Sequence, residues 1–206
     1  MCKTTLITGG AGYIGSHTAL TLIAAGHSVV ILDNLCNSCR ESISRLELLT
    51  HSHVDFIEGD VRDSALLEEI FAEYDIDAVM HFSSLKSVAE STQKPLEYYA
   101  NNVAGTLNLC QAMARAQVFN LVFSSSATVY GDPAHTPIAE ALGTGNPVNP
   151  YGRSKLMIEE MLKADNAELA LPLGDELLAL YPDSAAAARI RPAIEQRPGA
   201  GGEVFH

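Results

Sequence analysis

Short apolar runs alternate with helix-like patterns through most of this chain. The runs lie at residues 3–8, 28–32, 54–57, 76–82 and 120–124 and are rich in β-branched residues, as is typical of strands buried on both faces. The spacing of apolar residues predicts intervening helices at 13–25, 42–49, 63–74 and 95–116. Five strands alternating with helices over short connections predict an α/β fold, a doubly wound parallel sheet of the Rossmann type.

Glycines separate the first strand from the first helix. The run Thr8-Gly9-Gly10-Ala11-Gly12-Tyr13-Ile14-Gly15 places them where main-chain N–H groups can approach a phosphate without an intervening Cβ. Tight strand-to-helix turns also use glycine for conformational reasons alone, so the pattern by itself is weak. Asp33 strengthens it, because this acid closes the second strand 21 positions after Gly12. In the dinucleotide fold such an acid accepts hydrogen bonds from the adenosine ribose and disfavours a 2′-phosphate, which predicts NAD rather than NADP.

Composition narrows the classes of partner. The net charge of −12 argues against nucleic acid or an anionic membrane, and no apolar run approaches the length of a membrane span. The four cysteines indicate no disulfide framework, and without a secretory signal pattern we expect a cytoplasmic protein. Cys36 and Cys39 lack a second pair to complete a zinc site, and His81 has no ligand-type residue spaced to join it. We therefore expect no metal and a packed His81.

Candidate chemistry follows the fifth strand. That strand runs into Ser124-Ser125-Ser126, and in an open α/β sheet hydroxyls at this end face the ligand crevice. Further on, Tyr151 and Lys155 lie four residues apart at the start of a helix, so both side chains share one face. A neighbouring ammonium favours the phenolate of a tyrosine, and a serine can bond to the same substrate oxygen. Ser126, Tyr151 and Lys155 thus predict proton removal from an alcohol coupled to hydride transfer.

These motifs together resemble the extended short-chain dehydrogenases/reductases and, among them, the UDP-glucose 4-epimerase family. The resemblance covers about residues 3–163 and is most specific at Asp-Asn-Leu-Cys-Asn-Ser (33–38) and Ser-Ser-Ser-Ala-Thr-Val-Tyr-Gly (124–131). It implies reversible oxidation at C4 of a UDP-hexose with tightly bound NAD, converting UDP-glucose and UDP-galactose into each other. It also implies a homodimer formed through the helices at 95–116 and from Tyr151. A related family of sugar dehydratases carries Asp-Glu near positions 126 and 127, where this chain has Ser126 and Ala127.

The resemblance assigns roles residue by residue. Tyr151 would be the base, Lys155 would tune it and hold the nicotinamide ribose, and Ser126 would bond the migrating oxygen. Lys86, Ser126 and Tyr151 would contact the substrate. The cofactor would contact Gly9, Gly12, Tyr13, Ile14, Gly15, Asp33, Asn34, Leu35, Cys36, Asn37, Ser38, Asp60, Val61, Phe82, Ser83, Ser84, Leu85, Lys86, Asn101, Tyr151 and Lys155.

The chain departs from the family pattern in two important places. Ser83 and Ser84 replace the usual Ala-Gly and bring two hydroxyls near the nicotinamide. After about Lys163 the match ends, which divides the chain into an NAD-binding domain (1–163) and a divergent, alanine-rich tail (164–206), poorly ordered or partly helical, in place of the substrate lobe. Without a sixth strand, the fifth would leave an open sheet edge. Two alternatives to the epimerase stay open: an inactive NAD-binding fragment, and an epimerase for another nucleotide sugar.

Overall fold

The computed structural model describes residues 3–139 and 142–164. These residues form a parallel sheet flanked by helices, as the alternating pattern predicts. The five strands are β1 (Thr4–Thr8), β2 (Ser28–Asp33), β3 (Asp55–Glu58), β4 (Ala78–His81) and β5 (Leu121–Phe123). Their order is β3-β2-β1-β4-β5, and every neighbouring pair is parallel. The predicted alternative structures for residues 165–206 lie outside the described residues.

Helices connect the strands and follow most of the predicted spans. They are α1 (Tyr13–Ala24), α2 (Glu41–Thr50), α3 (Ser64–Glu73), α4 (Val88–Gln93), α5 (Pro95–Tyr98), α6 (Gly105–Arg115) and α7 (Pro150–Ala164). A π-helical turn, Tyr99–Ala104, joins α5 to α6, and a 3₁₀ turn, Ala127–Tyr130, follows β5. The predicted helix over 95–116 is confirmed as a continuous helical segment from Pro95 to Arg115, but the π-helical geometry of its middle was not predicted. The short helix α4 was not predicted.

The core lies on both faces of the sheet because neighbouring strand residues point in opposite directions. Leu6 packs with residues of α3 and α6, whereas Ile7 packs with residues of α1 and α2. Both side chains are fully buried, at about 1.5–3 kcal/mol of stabilisation each. A third cluster joins Phe123 of β5 to Ile158 and Leu162 of α7. This last cluster holds α7 against the strand that ends at the predicted serines.

The strand order reverses between β1 and β4. The chain visits β1, β2 and β3 on one side of this point and β4 and β5 on the other. In open α/β sheets, ligands bind outside the carboxyl ends of the strands at such a switch point. Within the described residues β5 forms one edge of the sheet; the predicted absence of a sixth strand concerns residues outside the described ones and stays a prediction.

Candidate active site

A crevice opens where the carboxyl ends of the strands meet. The loops leave the sheet in register, since Gly9 N donates to Leu32 O, Phe82 N to Thr8 O, and Ser124 N to His81 O. The crevice has a volume of about 260 Å³, close to the lower end of ligand pockets, roughly 300–1,000 Å³. It is lined by Gly9, Gly12, Tyr13, Ile14, Gly15, Asp33, Asn34, Cys36, Asn37, Gly59, Val61, Phe82, Ser83, Ser84, Lys86, Asn101, Ser124, Ser125, Tyr151 and Lys155.

The glycine turn forms the floor of this crevice beside β1. Gly9 has φ +72°, and a Cβ there would lie 2.6 Å from the main-chain N of Ser83. A Cβ at Gly15 would collide with the carbonyl oxygen of Gly9. Glycine is therefore required at both positions by close backbone approach. The turn leads into α1, whose N-cap Gly12 offers no side chain and whose first turn holds no acid. The N–H groups and dipole of this helix end favour an anion.

Asp33 organises the turn from the end of β2. Its side chain is buried, with Oδ2 accepting a hydrogen bond from Ala11 N at 3.0 Å. Oδ1 accepts from Leu35 N at 2.9 Å and from the Ser38 hydroxyl at 2.8 Å. Because each carboxylate oxygen has two acceptor sites, Oδ2 keeps capacity for one further donor. The predicted ribose contact is therefore chemically available to this residue.

Tyr151 and Lys155 occupy the opposite wall. Both lie in the first turns of α7 and line the crevice, as their spacing predicts. Lys155 is only 3% exposed; its Nζ donates to the carbonyl of Ser124 at 2.8 Å and lies 4.7 Å from the centre of the Phe123 ring. Burial lowers the pKa of Lys155 to about 7, because desolvation disfavours the ammonium. This lysine is thus poised between its charged and neutral forms near neutral pH.

The three serines after β5 have different positions. Ser124 and Ser125 line the crevice. The hydroxyl of Ser125 donates a hydrogen bond to the fully buried carboxylate of Glu159 on α7. Ser126 is the N-cap of the 3₁₀ turn, and its Oγ accepts from Thr128 N at 3.3 Å and bonds the Thr128 hydroxyl at 2.9 Å. The predicted catalytic serine therefore stands beside the crevice rather than among its lining residues.

Four other predicted contacts also lie outside the lining. Leu35 and Ser38 bond to Asp33, and the main chain of Leu85 bonds to Asn102. The fourth, Asp60, is held by the guanidinium of Arg62 and by Asn34 Nδ2 at 2.9 Å. The Arg62 hydrogen bonds hold the pKa of Asp60 well below its usual range.

The sequence places the hydroxyls of residues 124–126 at the crevice, but no ligand contact was predicted for three of the lining residues, Gly59, Ser124 and Ser125. Gly59 follows β3 at the same sheet edge, and Ser124 and Ser125 precede the chosen serine. Their position directly after a strand was the available signal, because every strand of a parallel sheet delivers its last residues to one edge.

His81 lies beneath the site and is fully buried, as predicted for a packed histidine. Nδ1 bonds the Thr8 hydroxyl at 2.6 Å and Nε2 bonds the Thr106 hydroxyl at 2.8 Å. Desolvation and the nearby charge of Lys155 lower the pKa of His81 to about 3. The ring is therefore neutral at physiological pH and links β1, β4 and α6.

The loop after β2 carries two exposed cysteines. Cys36 lines the crevice, and burial together with the charges of Asp33 and Asp60 raises the pKa of its thiol. Among the described residues, no group of three or more His, Cys, Asp or Glu side chains could hold a metal ion. The same portion of the chain contains no helix long and apolar enough to cross a membrane.

A switch-point crevice with a glycine turn, a strand-end acid and a facing Tyr–Lys pair defines a Rossmann-type nucleotide-binding domain. Residues 5–172 match the model of the NAD dependent epimerase/dehydratase family, and the chain belongs to that family. It is 58% identical over 158 residues to a UDP-glucose 4-epimerase of Haemophilus influenzae, covering 77% of this chain and 47% of the relative. A UDP-glucose 4-epimerase of Yersinia pestis is 56% identical over 176 residues, covering 85% of this chain and 52% of the relative.

Solved structures agree with this placement. The UDP-glucose 4-epimerase of Bifidobacterium longum in complex with NAD+ and UDP superimposes with a TM-score of 0.78 at 47% identity, covering 81% of this chain and 51% of its own. The UDP-glucose 4-epimerase from Stenotrophomonas maltophila, with bound NAD and formylated UDP-arabinopyranose, gives a TM-score of 0.76 at 47% identity. The match covers 79% of this chain and 48% of that enzyme. The chain thus spans about half the length of the relatives it matches.

Proposed function

We propose that the crevice binds NAD and that its Tyr–Lys wall belongs to a UDP-glucose 4-epimerase, which interconverts UDP-glucose and UDP-galactose in galactose metabolism. One observation carries the proposal: Tyr151 and Lys155 line the same crevice as the glycine turn at the uncapped start of α1. A nucleotide anchored at the turn would extend across the switch point toward the phenol. The similarity to epimerases bound to NAD supports the same assignment.

The residues present fit a dinucleotide. The α1 end favours the pyrophosphate, since no side chain competes for its first N–H groups. The free acceptor site on Asp33 suits one ribose hydroxyl, and the carboxylate disfavours a 2′-phosphate. Beyond the switch point, Phe82, Ser83 and Asn101 line the second half of the crevice, where we place the nicotinamide nucleoside. We assign the adenosine to the β2 side and the nicotinamide to the β4–β5 side.

The chemistry rests on Tyr151. When bound, NAD supplies the hydride acceptor and donor for a transient oxidation at C4 of the sugar. Tyr151 takes the proton from the 4-hydroxyl, and the ammonium of Lys155 stabilises the phenolate that does so. Ser126 donates a hydrogen bond to the same oxygen, because its Oγ accepts from Thr128 and leaves its own proton available. Lys86, exposed at the crevice mouth, is placed to meet the negative charge of a UDP-hexose.

Cofactor binding and turnover are tested separately. The 206-residue chain is titrated with NADH, followed by the change in nicotinamide fluorescence, and then assayed for conversion of UDP-galactose into UDP-glucose. We expect the wild type to bind NADH and to convert UDP-galactose. Tyr151→Phe should abolish this turnover, whereas the control Tyr74→Phe, distant from the crevice, should leave it intact. Binding without turnover would favour the inactive NAD-binding fragment. Turnover only with N-acetylated UDP-hexoses would favour another nucleotide-sugar epimerase. Folded protein that binds no NADH would contradict the proposal.

A homodimer through α6 and α7 is part of the proposal. Leu107 on α6 and Met157 on α7 are 42% and 46% exposed, and such apolar positions suit a helix–helix interface. Light scattering of the wild type and of Leu107→Glu tests this, since the charge would produce a monomer. A cytoplasmic location stays a prediction that rests on the small number of cysteines in the sequence.

A further inference from the structure

Ser83, in the loop after β4, lies against the glycine turn. A Cβ placed on Gly9 would be 2.6 Å from the main-chain N of Ser83 and 3.0 Å from its Cα. Phe82, the preceding residue, donates its N–H to the carbonyl of Thr8 at 2.9 Å. The main chains of the two loops are therefore in close contact where they leave β1 and β4, and this contact fixes the position of Ser83.

Ser83 lies between the two functional parts of the crevice. Because β4 is the strand between β1 and β5, the loop after β4 separates the glycine turn from the serines that follow β5. Gly9 lies on one side of it. On the other side, Ser124 N bonds the carbonyl of His81 at 3.2 Å, and the carbonyl of Ser124 accepts from Lys155 Nζ. A dinucleotide that extends from the glycine turn to the Tyr–Lys wall must cross the end of β4 at Ser83.

The two serines of this loop differ in their hydrogen bonds. Both are half-buried and line the crevice. The hydroxyl of Ser84 donates to the carbonyl of Leu85 at 3.1 Å, whereas the hydroxyl of Ser83 has no hydrogen-bond partner within the described part of the chain. Every buried side-chain oxygen or nitrogen in that part has a partner, so the unbonded Oγ of Ser83 is accessible. It keeps its capacity to donate one hydrogen bond and accept two.

We propose that the hydroxyl of Ser83 binds a hydroxyl of the nicotinamide ribose. In a dinucleotide this ribose is the group between the pyrophosphate and the nicotinamide, and its hydroxyls can both donate and accept hydrogen bonds. The inference rests on the proposed binding of NAD and adds to it a specific contact. The family resemblance gives a cofactor contact at this position but alanine as the usual residue, so it assigns no role to a side-chain hydroxyl.

Three ligands of increasing length locate the contact on the full chain. ADP carries the adenosine and both phosphates, ADP-ribose adds the second ribose, and NADH adds the nicotinamide. We expect Ser83→Ala to weaken NADH and ADP-ribose about fivefold each, as loss of one hydrogen bond allows. ADP affinity should change less than about twofold. NADH is titrated by nicotinamide fluorescence, and the other two ligands by displacement of NADH, so that weak binding is also quantified.

Control variants separate a lost ligand contact from a loss of structure. Ser83→Ala leaves no protein group without its partner, so it should unfold at the same urea concentration as wild type. Ser83→Cys keeps the shape of the side chain but substitutes a weak donor, and it should show the same selective loss. Ser52→Ala removes an exposed hydroxyl, bonded to Thr50 O at 3.2 Å, from the loop that enters β3 at its amino end. It should leave all three affinities unchanged.

Each outcome supports or overturns the contact. Equal weakening of NADH and ADP-ribose, with ADP affinity kept, would support it. Weakening of NADH alone would place the hydroxyl at the nicotinamide, and equal weakening of all three ligands would show a general effect on the crevice; either result would overturn the inference. Unchanged or tighter NADH binding by Ser83→Ala would also overturn it, while the proposed function would stand. A folded wild type that binds no NADH would overturn both.

Discussion

The Nζ of Lys155 donates a hydrogen bond to the main-chain carbonyl of Ser124 across 2.8 Å. This contact ties α7 to the end of β5 and holds the ammonium in a site that is almost closed to water. The group is therefore held where a substrate and cofactor would need it, at the expense of its hydration. Enzymes commonly hold catalytic groups with displaced pKa values in this way.

Replacing Lys155 should stabilise the ligand-free chain in a pH-dependent manner. The folded pKa is about 7, against 10.5 for an exposed lysine. Between these values the unfolded chain binds more protons, so wild-type stability rises with pH. Below pH 7 the whole cost of burying the charged ammonium is present, at most about 5 kcal/mol at roughly 1.4 kcal/mol per pKa unit. Lys155→Met removes this cost but also loses the hydrogen bond to Ser124, so the variant should be more stable than wild type by about 2 kcal/mol. This advantage should shrink as the pH rises toward 10.

Urea unfolding at pH 6, 8 and 9.5 measures the effect. Lys94→Met, at an exposed position on the surface, serves as control and should change stability by less than about 1 kcal/mol. A difference between wild type and Lys155→Met that stays constant over this range would contradict the assignment of a buried, titrating ammonium.

His81 should make the fold sensitive to acid. Its folded pKa of about 3 lies below the ordinary 6.5, so between these values the unfolded chain binds the additional proton. Stability contributed by the neutral ring is therefore present above pH 6.5 and lost as the pH falls toward 3. His81→Gln, which can still bond Thr8 and Thr106, should be about 1–2 kcal/mol less stable at pH 7.5 through poorer packing. The deficit should narrow or reverse by pH 4.5.

Thermal or urea unfolding across this range checks the sign of the effect. His135→Gln, at an exposed loop position, removes a histidine without changing the hydrogen bonds of His81. Its stability relative to wild type should not reverse as the pH falls. If the free energies of unfolding of His81→Gln and wild type changed with pH in parallel, His81 would not be a neutral ring whose protonation destabilises the fold.

Much of the fold and most of the crevice lining could be predicted from local pattern and from the family resemblance. Leu6 and Ile7 belong to a buried run, and Tyr151 and Lys155 share a helix face by spacing alone. The π-helical turn could not be predicted, because the apolar positions of 95–116 read as one regular helix. Asn102 resembles any polar helix residue in the sequence. Its side chain bonds Leu85 and Ser154, which only the tertiary structure brings to it. The contact of Ser125 with Glu159 is invisible in sequence for the same reason.

Gly15 should be the least replaceable glycine of the turn. A Cβ would collide with the carbonyl oxygen of Gly9 and lie 2.7 Å from the Cα of Gly10, and neither main-chain atom can move without opening the turn. We expect Gly15→Ala to lower stability by about 2–3 kcal/mol and to weaken NADH binding at least about tenfold. Gly143→Ala, where a Cβ meets nothing within 4 Å, should be neutral. Thermal unfolding and NADH titration measure both; normal binding by Gly15→Ala would show that the turn does not hold the cofactor.

Asp33 should act on both the turn and the choice of cofactor. Three donors converge on its two oxygens, from Ala11, Leu35 and Ser38. In Asp33→Asn one oxygen becomes an NH₂ group, which must face at least one main-chain N–H and leaves it unbonded, at about 1–3 kcal/mol.

Asp33→Asn should affect the binding of two nucleotides differently. NADH affinity should fall about tenfold because the turn loosens and the ribose loses a carboxylate acceptor. NADPH affinity should fall less or rise, because repulsion of a 2′-phosphate disappears. Titration with both nucleotides gives the ratio of their affinities, with the exposed loop variant Asp132→Asn as control. If Asp33→Asn shifts neither affinity nor their ratio, the acid does not lie at the adenosine ribose and the proposed orientation of the cofactor is wrong.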